Sequence, residues 1–196
     1  MKIIGLTGRS GSGKGEVCKI FAANHGVQSI DTDKIARELM GKGGVCLAEL
    51  VEQFSGMILD ECGELDRKKL ADIVFEDKAK LALLNKITHR YIIEECANRA
   101  EAMREAGAGI IIVDAPLLFE SGFDVECDII ISVIAEENAR LERIIKRDAI
   151  SLAQAARRLE NQQSDDFFAG NSNLVIYNNG LIKDIERQLA DIISKI

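Results

Sequence analysis

The stretch Gly8-Arg9-Ser10-Gly11-Ser12-Gly13-Lys14 has the residue types and spacing to do phosphate chemistry. It reads G-x-x-x-x-G-K and follows directly on the apolar run Ile3-Ile4-Gly5-Leu6-Thr7. A buried strand, a glycine-rich turn and a helix starting at Gly13 form the setting in which this spacing holds a nucleotide. Glycine has no Cβ, so at Gly8, Gly11 and Gly13 the backbone can wrap closely round a polyphosphate. The N–H groups of the loop, Ser12 among them, would form an anion nest reinforced by the helix N-terminus. Lys14 would add a point charge for the β- and γ-phosphates. The alternative is an ordinary glycine turn between strand and helix.

The loop departs from its pattern at one place. A hydroxyl normally follows the lysine and ligates Mg²⁺, but here Gly15 and Glu16 follow. Both would still belong to the nucleotide-contacting stretch. Glycine offers the metal no side chain. A carboxylate at Glu16 suits the first helical turn, yet it would repel phosphate unless a metal or water lay between them. The expectation is Mg²⁺ held through phosphates and water, with Glu16 or Asp114 as the protein groups nearest to it.

Other candidates follow the later apolar runs. Ile30-Asp31-Thr32-Asp33 puts two carboxylates at a strand end, where alternation would turn Asp31 and Asp33 the same way. One of them could take a proton from an acceptor hydroxyl or hold metal-bound water. The competing reading is a helix cap, with Thr32 or Asp33 as the cap. Ile110-Ile111-Ile112-Val113-Asp114 reads as a buried strand ending in an acid, either a water-mediated metal contact or a turn residue. Leu117, Leu118 and Phe119 then precede Glu120, and apolar residues in such a loop suggest a wall for an organic ligand.

Arg140, Arg143 and Arg147 share one helix face by their spacing. They could clamp a transferring phosphate, or form a solvated face with Glu136 pairing to Arg140. Ser151 with Gln154 reads as a capping box that opens a separate short helix. A basic helix pair of this kind resembles a lid. His89 lies on a helical pattern, where a lone histidine is usually structural, and His25 beside Gly26 reads as a helix end.

The elements that must position these groups alternate. Strands are expected at 3–7, 27–30, 109–114, 128–133 and 174–177. Helical patterns are expected at 13–24, 33–40, 46–54, 66–75, 78–105, 136–147, 152–162 and 181–194. That alternation predicts an α/β fold, a parallel five-stranded sheet covered by helices on both faces. Ligands of such sheets bind at the carboxyl ends of the strands, where the candidates fall.

Bulk properties narrow the class. The 196 residues suffice for one domain, and 47% apolar with 29% charged residues is ordinary for a globular protein. A net charge of -7 speaks against nucleic-acid binding. Five widely spaced cysteines with no C-x-x-C pair indicate neither a zinc site nor a disulfide framework. Reduced, mostly buried thiols in a cytoplasmic protein are the expectation. No signal peptide is read at the N-terminus, and no apolar stretch approaches bilayer length, so no membrane association is expected.

In this order the segments resemble the dephospho-CoA kinase family. The resemblance covers nearly the whole chain. It rests on Ile4-Gly5-Leu6-Thr7-Gly8, on Asp31-Thr32-Asp33-Lys34-Ile35-Ala36-Arg37, on Ile87-Thr88-His89, and on Asp114-Ala115-Pro116-Leu117-Leu118-Phe119-Glu120. It continues through Arg143 to Asp148, Arg158 to Gln162, and Val175 to Gly180. It implies one P-loop kinase domain, with an acceptor-side helical region near 34–105 and a helical lid near 140–165. It implies ATP as co-substrate, Mg²⁺, and transfer to the ribose 3′-hydroxyl of dephospho-CoA. Asp33 would be the general base, and Lys14 would hold ATP. Arg140 and Arg143 would belong to the lid, and Asn178 would lie near the adenine. His89, Asp114 and Leu117–Glu120 would face the acceptor. A monomer is favoured. The family usually has Ser-Thr where this chain has Gly15-Glu16, and His-Pro where it has His89-Arg90. The nearest rivals are another small-molecule or nucleoside monophosphate kinase of the same fold, and a nucleotide-binding protein with weak turnover.

Overall fold

The computed structural model describes residues 1–25 and 27–193, without the side chains of Asn24 and His25. Gly26, the expected stop after His25, and residue 194, the expected end of the last helix, lie outside the described residues.

Clustering of contacts divides the chain into two compact units, residues 1–30 with 102–196, and residues 31–101. The first holds the sheet. Its strands are β1 (Lys2–Thr7), β2 (Gln28–Asp31, whose last residue opens the second unit), β3 (Ile110–Asp114), β4 (Ile129–Ile134) and β5 (Leu174–Tyr177). The spatial order is β2-β3-β1-β4-β5, and β1 pairs in parallel with both β3 and β4. A central strand buried on both faces must be apolar throughout, which is why β1 and β3 read as unbroken apolar runs. Ile4, Leu6, Ile112, Ile131 and Val133 form the inner layer. Helices α1 (Lys14–His25) and α10 (Ile182–Ile193) add Val17, Phe21, Ile185 and Leu189 to it.

The second unit is helical: α2 (Thr32–Leu39), α3 (Val45–Phe54), α4 (Arg67–Phe75) and most of the long α5 (Lys78–Glu105). Its core is Leu50, Phe54, Ile58, Leu70, Val74 and Ile87. The His89-Arg90 departure falls inside unbroken α5, where arginine, unlike proline, keeps the helical N–H. Arg90 pairs with Glu49 of α3, and Tyr91 donates its hydroxyl to the same carboxylate at 2.7 Å. All five cysteines are free. Burial pushes the Cys46 thiol up to about 11 and the Cys96 thiol up to about 12. Cys62 is exposed, and Cys18 and Cys127 are half-buried, so fewer thiols are sheltered than the sequence suggests.

Back in the sheet unit, β3 leads into a short helix α6 (Leu118–Ser121) where an apolar loop was expected. Helices α7 (Glu137–Asp148) and α8 (Leu152–Glu160) form a hairpin. Ala149 turns it in the left-handed region, and Ile144, Ala155 and Leu159 zip it together. The capping box of Ser151 and Gln154 is present. A further short helix, α9 (Asp165–Gly170), precedes β5 and has no counterpart in the expected elements.

Candidate active site

The loop between β1 and α1 is held in shape by buried polar groups. Gly11 and Gly13 have left-handed φ values of 77° and 93°. Their placement excludes larger residues as well, since a Cβ at Gly13 would lie 2.1 Å from Asn178 Nδ2 and one at Gly11 2.6 Å from the Arg140 carbonyl oxygen. Asn178, just past β5, donates its Nδ2 to the Ser12 carbonyl at 2.8 Å. Arg143 Nη1 donates to the carbonyls of Gly11 and Ser12 at 3.1 and 3.4 Å, and its Nη2 to Asn178 O at 3.1 Å. Ser12 is fully buried, and its hydroxyl makes no hydrogen bond among the described residues. Lys14 Nζ donates to the Gly8 carbonyl at 2.8 Å.

The predicted groups therefore divide. Gly8, Gly11, Ser12, Gly13, Lys14 and Asn178 come together at the carboxyl end of the sheet. Asn178, expected near the adenine, braces the loop here. Arg143 stands with it as a second brace rather than on an outward phosphate-facing surface. Arg140 departs further from a clamp. Its side chain is 2% exposed, and Nη1 donates to Asp165 at 2.6 Å. The alternative, an i,i+4 pairing with Glu136 on a solvated face, is absent among the described side-chain contacts, because Arg140 turns inward to Asp165. Arg147 and Arg158 both pair with Asp148, which holds that carboxyl well below its ordinary 3.8, at about 2.

Gly15 has no atom within 4 Å of a built Cβ, and Glu16 is half-exposed within 4.0 Å of Lys19. Asp114 closes β3 opposite Leu6, so it stands next to the start of the loop. Leu117 is exposed and Glu120 is exposed. Leu118 is corrected from a ligand-facing wall to a core residue. It is 0% exposed and fills the space over Gly5, where a Cβ would come within 2.9 Å of it. Phe119 packs edge-on against Phe167 at 5.4 Å and near Phe168 at 6.0 Å.

In the helical unit, the carboxylates Asp31 and Asp33 have different roles. Asp31 is the cap, accepting from Lys34 N at 2.9 Å, and Asp33 is exposed in the first turn of α2. The helix begins one residue earlier than expected, and that decides which acid caps and which is left to solvent. His89 is half-buried on α5.

Arg9 and Asp165 escaped the sequence reading. Arg9 lies in the loop with its side chain 13% exposed, donates Nη2 to the Leu159 carbonyl, and lies 3.9 Å from Asp165. Ser10 N–H donates to Gln162 Oε1 at 2.9 Å. Burial, then the nearby Arg140, pull the Arg9 guanidinium below its usual value. No local sequence signal marks these pairs, which span 150 residues or more.

A sheet with this loop after its central strand, a lysine at the loop's end and a helix launched from it defines a P-loop nucleotide-binding protein. The family model described as dephospho-CoA kinase matches residues 2–184. The chain belongs to the dephospho-CoA kinase family, and is by that membership a phosphotransferase. A dephospho-CoA kinase from Fusobacterium nucleatum is 40% identical over 187 residues, covering 95% of this chain and 94% of the relative. The solved dephospho-CoA kinase from Campylobacter jejuni superposes with a TM-score of 0.70 at 26% identity, covering 98% of this chain and 96% of that one. A shikimate kinase from Acinetobacter baumannii, 14% identical with a TM-score of 0.57 over 100% of this chain and 94% of its own, shares the fold. Among the described residues no helix is long and apolar enough to cross a membrane.

Proposed function

We propose that this chain transfers the γ-phosphoryl group of ATP to the ribose 3′-hydroxyl of dephospho-CoA, giving CoA and ADP. The observation that supports it most is the braced phosphate loop, set within a chain that matches the family over residues 2–184. Phosphoryl transfer asks for positioning and charge neutralisation more than for covalent help. Lys14 supplies positive charge to the phosphates. Loop N–H groups other than those of Ser10 and Ser12, which already have protein partners, would receive phosphate oxygens.

Asp33 takes the proton of the attacking hydroxyl. The acceptor oxygen bonds to the γ-phosphorus as the bond to the β-phosphate oxygen breaks, and ADP leaves. An exposed carboxylate can accept that proton and return it to solvent. Asn178 and Arg143 act on the loop rather than on the phosphates, keeping its carbonyls turned away so that anions meet N–H groups. Leu117, Phe119, Glu120 and His89 remain the proposed acceptor-side groups.

Mg²⁺ prefers hard oxygen donors and keeps several waters. Asp114 at the end of β3 and Glu16 in the first turn of α1 are carboxylates of that kind, and they would hold the ion through water, since Gly15 has no hydroxyl. Bound there, it would neutralise phosphate charge. The direct test incubates the protein with Mg-ATP and dephospho-CoA and follows CoA and ADP by chromatography. CoA formed in step with ADP, and little ADP without acceptor, is the expected result. ADP released without CoA, or transfer to a nucleoside monophosphate instead, would overturn it.

A further inference from the structure

Arg9 sits inside the phosphate loop, yet its guanidinium is directed at the chain that follows α8. It donates to the carbonyl of Leu159, in the last turn of that helix, where the carbonyls carry the negative end of the dipole. The next loop residue, Ser10, donates its N–H to Gln162. Three residues further, Asp165 lies 3.9 Å from Arg9 and 2.6 Å from Arg140. One carboxylate thus serves two guanidiniums, and the Nε of each is buried without a hydrogen-bond partner among the described residues. The far end of this segment is fixed separately. Ser132 Oγ on β4 donates to the Phe168 carbonyl at 3.2 Å, and Phe167 and Phe168 pack on Phe119. Residues 159–165 are therefore suspended between a fixed helix, α9, and two consecutive residues of the phosphate loop.

We infer that Arg9 is a positioning residue that ties residues 159–165 to the phosphate loop, so that nucleotide bound on the loop and order in this segment rise together. It rests on the reading of the loop as the ATP site. The reason is shared geometry: the same turn that aims loop N–H groups at phosphates aims the Arg9 guanidinium and the Ser10 N–H at Leu159, Gln162 and Asp165. Anything that fixes the loop fixes those donors, and by reciprocity of coupling a fixed segment tightens nucleotide binding. A lysine would not substitute fully, since a single ammonium lacks the planar fork that meets a carbonyl and a carboxylate together.

The test measures ATP affinity and ATP-dependent hydrogen exchange in residues 159–165 of the full chain, for wild type, Arg9→Ala, Arg9→Lys and Asp165→Asn. In wild type, ATP slows exchange in the segment. In Arg9→Ala that slowing is lost, and the dissociation constant and KM for ATP rise about tenfold, the size of one charge-assisted hydrogen bond. At saturating ATP, kcat changes less than KM does. Arg9→Lys recovers part of the affinity. Asp165→Asn, nearly isosteric, also loses the slowing, and it carries the test should Arg9→Ala fail to fold. Unchanged affinity and unchanged slowing in the variants would overturn the inference. Wild type that binds ATP without any change at 159–165 would overturn the coupling alone. Wild type that binds no ATP would remove the nucleotide-site reading, and the coupling with it.

Discussion

The sheet unit and the helical unit bury different things. In the sheet unit, polar side chains go inside: Thr7, Ser12, Ser132, Arg140 and Asn178 are all buried, and most of them gather near the phosphate loop. In residues 31–101 the buried side chains are apolar, and the charges stay at the surface in pairs such as Arg99 with Glu38 and Glu95. Arg99 lowers the Glu38 carboxyl through its hydrogen bond, but the pair is largely solvated, so it contributes little stability. The proposed reactive groups differ in the same way. Lys14 sits among groups that shape one another, whereas Asp33 is exposed beyond a cap that Asp31 provides. Binding groups built into a buried polar lattice cannot be removed without loosening the lattice. A base on a solvent-facing helical turn can.

The sharpest way to break this contrast is Asp33→Asn. Turnover should fall about a hundredfold or more, the scale of lost general base catalysis. The melting temperature and ATP affinity should hardly move, and steady-state kinetics beside a nucleotide titration would show the split. Near-normal turnover would remove Asp33 from the base role. Asn178→Ala should do the reverse. It removes the 2.8 Å bond to the Ser12 carbonyl and leaves that oxygen only the longer one from Arg143, so stability should drop by about 1 kcal/mol and ATP binding should weaken with it. A denaturation midpoint that stays put would mean that the loop holds its shape without this brace.

A smaller effect is expected at Gly15→Ser. The site has open space and no left-handed backbone, and serine is the better helix former by about half a kcal/mol, so the variant should fold at least as well. Less Mg²⁺ should then be needed for half-maximal activity. A superimposable Mg²⁺ titration would place the metal on other groups.

The smallest concerns the α7–α8 hairpin. Arg147, and then Arg158, hold the Asp148 carboxyl at about 2 against an ordinary 3.8. Its folded-state value is depressed, so its contribution is present above pH 4 and is lost as pH falls toward 2. The stability gap between wild type and Asp148→Asn should narrow across that window in a pH series of melts. A gap that stays constant would mean the pairs contribute nothing.

Local pattern revealed the frame because the frame is locally determined. Unbroken apolar runs such as 3–7 and 110–114 fit strands buried on both faces, and the long period at 78–105 fits α5 to the residue. Short helices were illegible: α6 and α9 have too few residues to display a period. The loop's position was legible from spacing, but its bracing was not. The spacing of Arg140 and Arg143 places both on one face without saying what that face meets. Only the fold brings Asp165 to the first and the loop carbonyls to the second. The Leu117–Phe119 run looks uniform in sequence, and the fold separates it into one exposed, one buried and one half-buried side chain.

The register of β1 bears on how this chain is made. Lys2 pairs with Ile110 and Ile4 with Ile129, so β1 has no lateral partner until more than 100 further residues are synthesised. Residues 31–101 need no such wait, because their contacts are contiguous in sequence. Pairings this distant close slowly and expose an apolar strand meanwhile. A nascent chain arrested before residue 110 should therefore hold a compact helical segment behind an unpaired Ile3-Ile4-Gly5-Leu6. The nucleotide loop, which follows β1 directly, would then take its working shape only after strands made more than 100 residues later have docked.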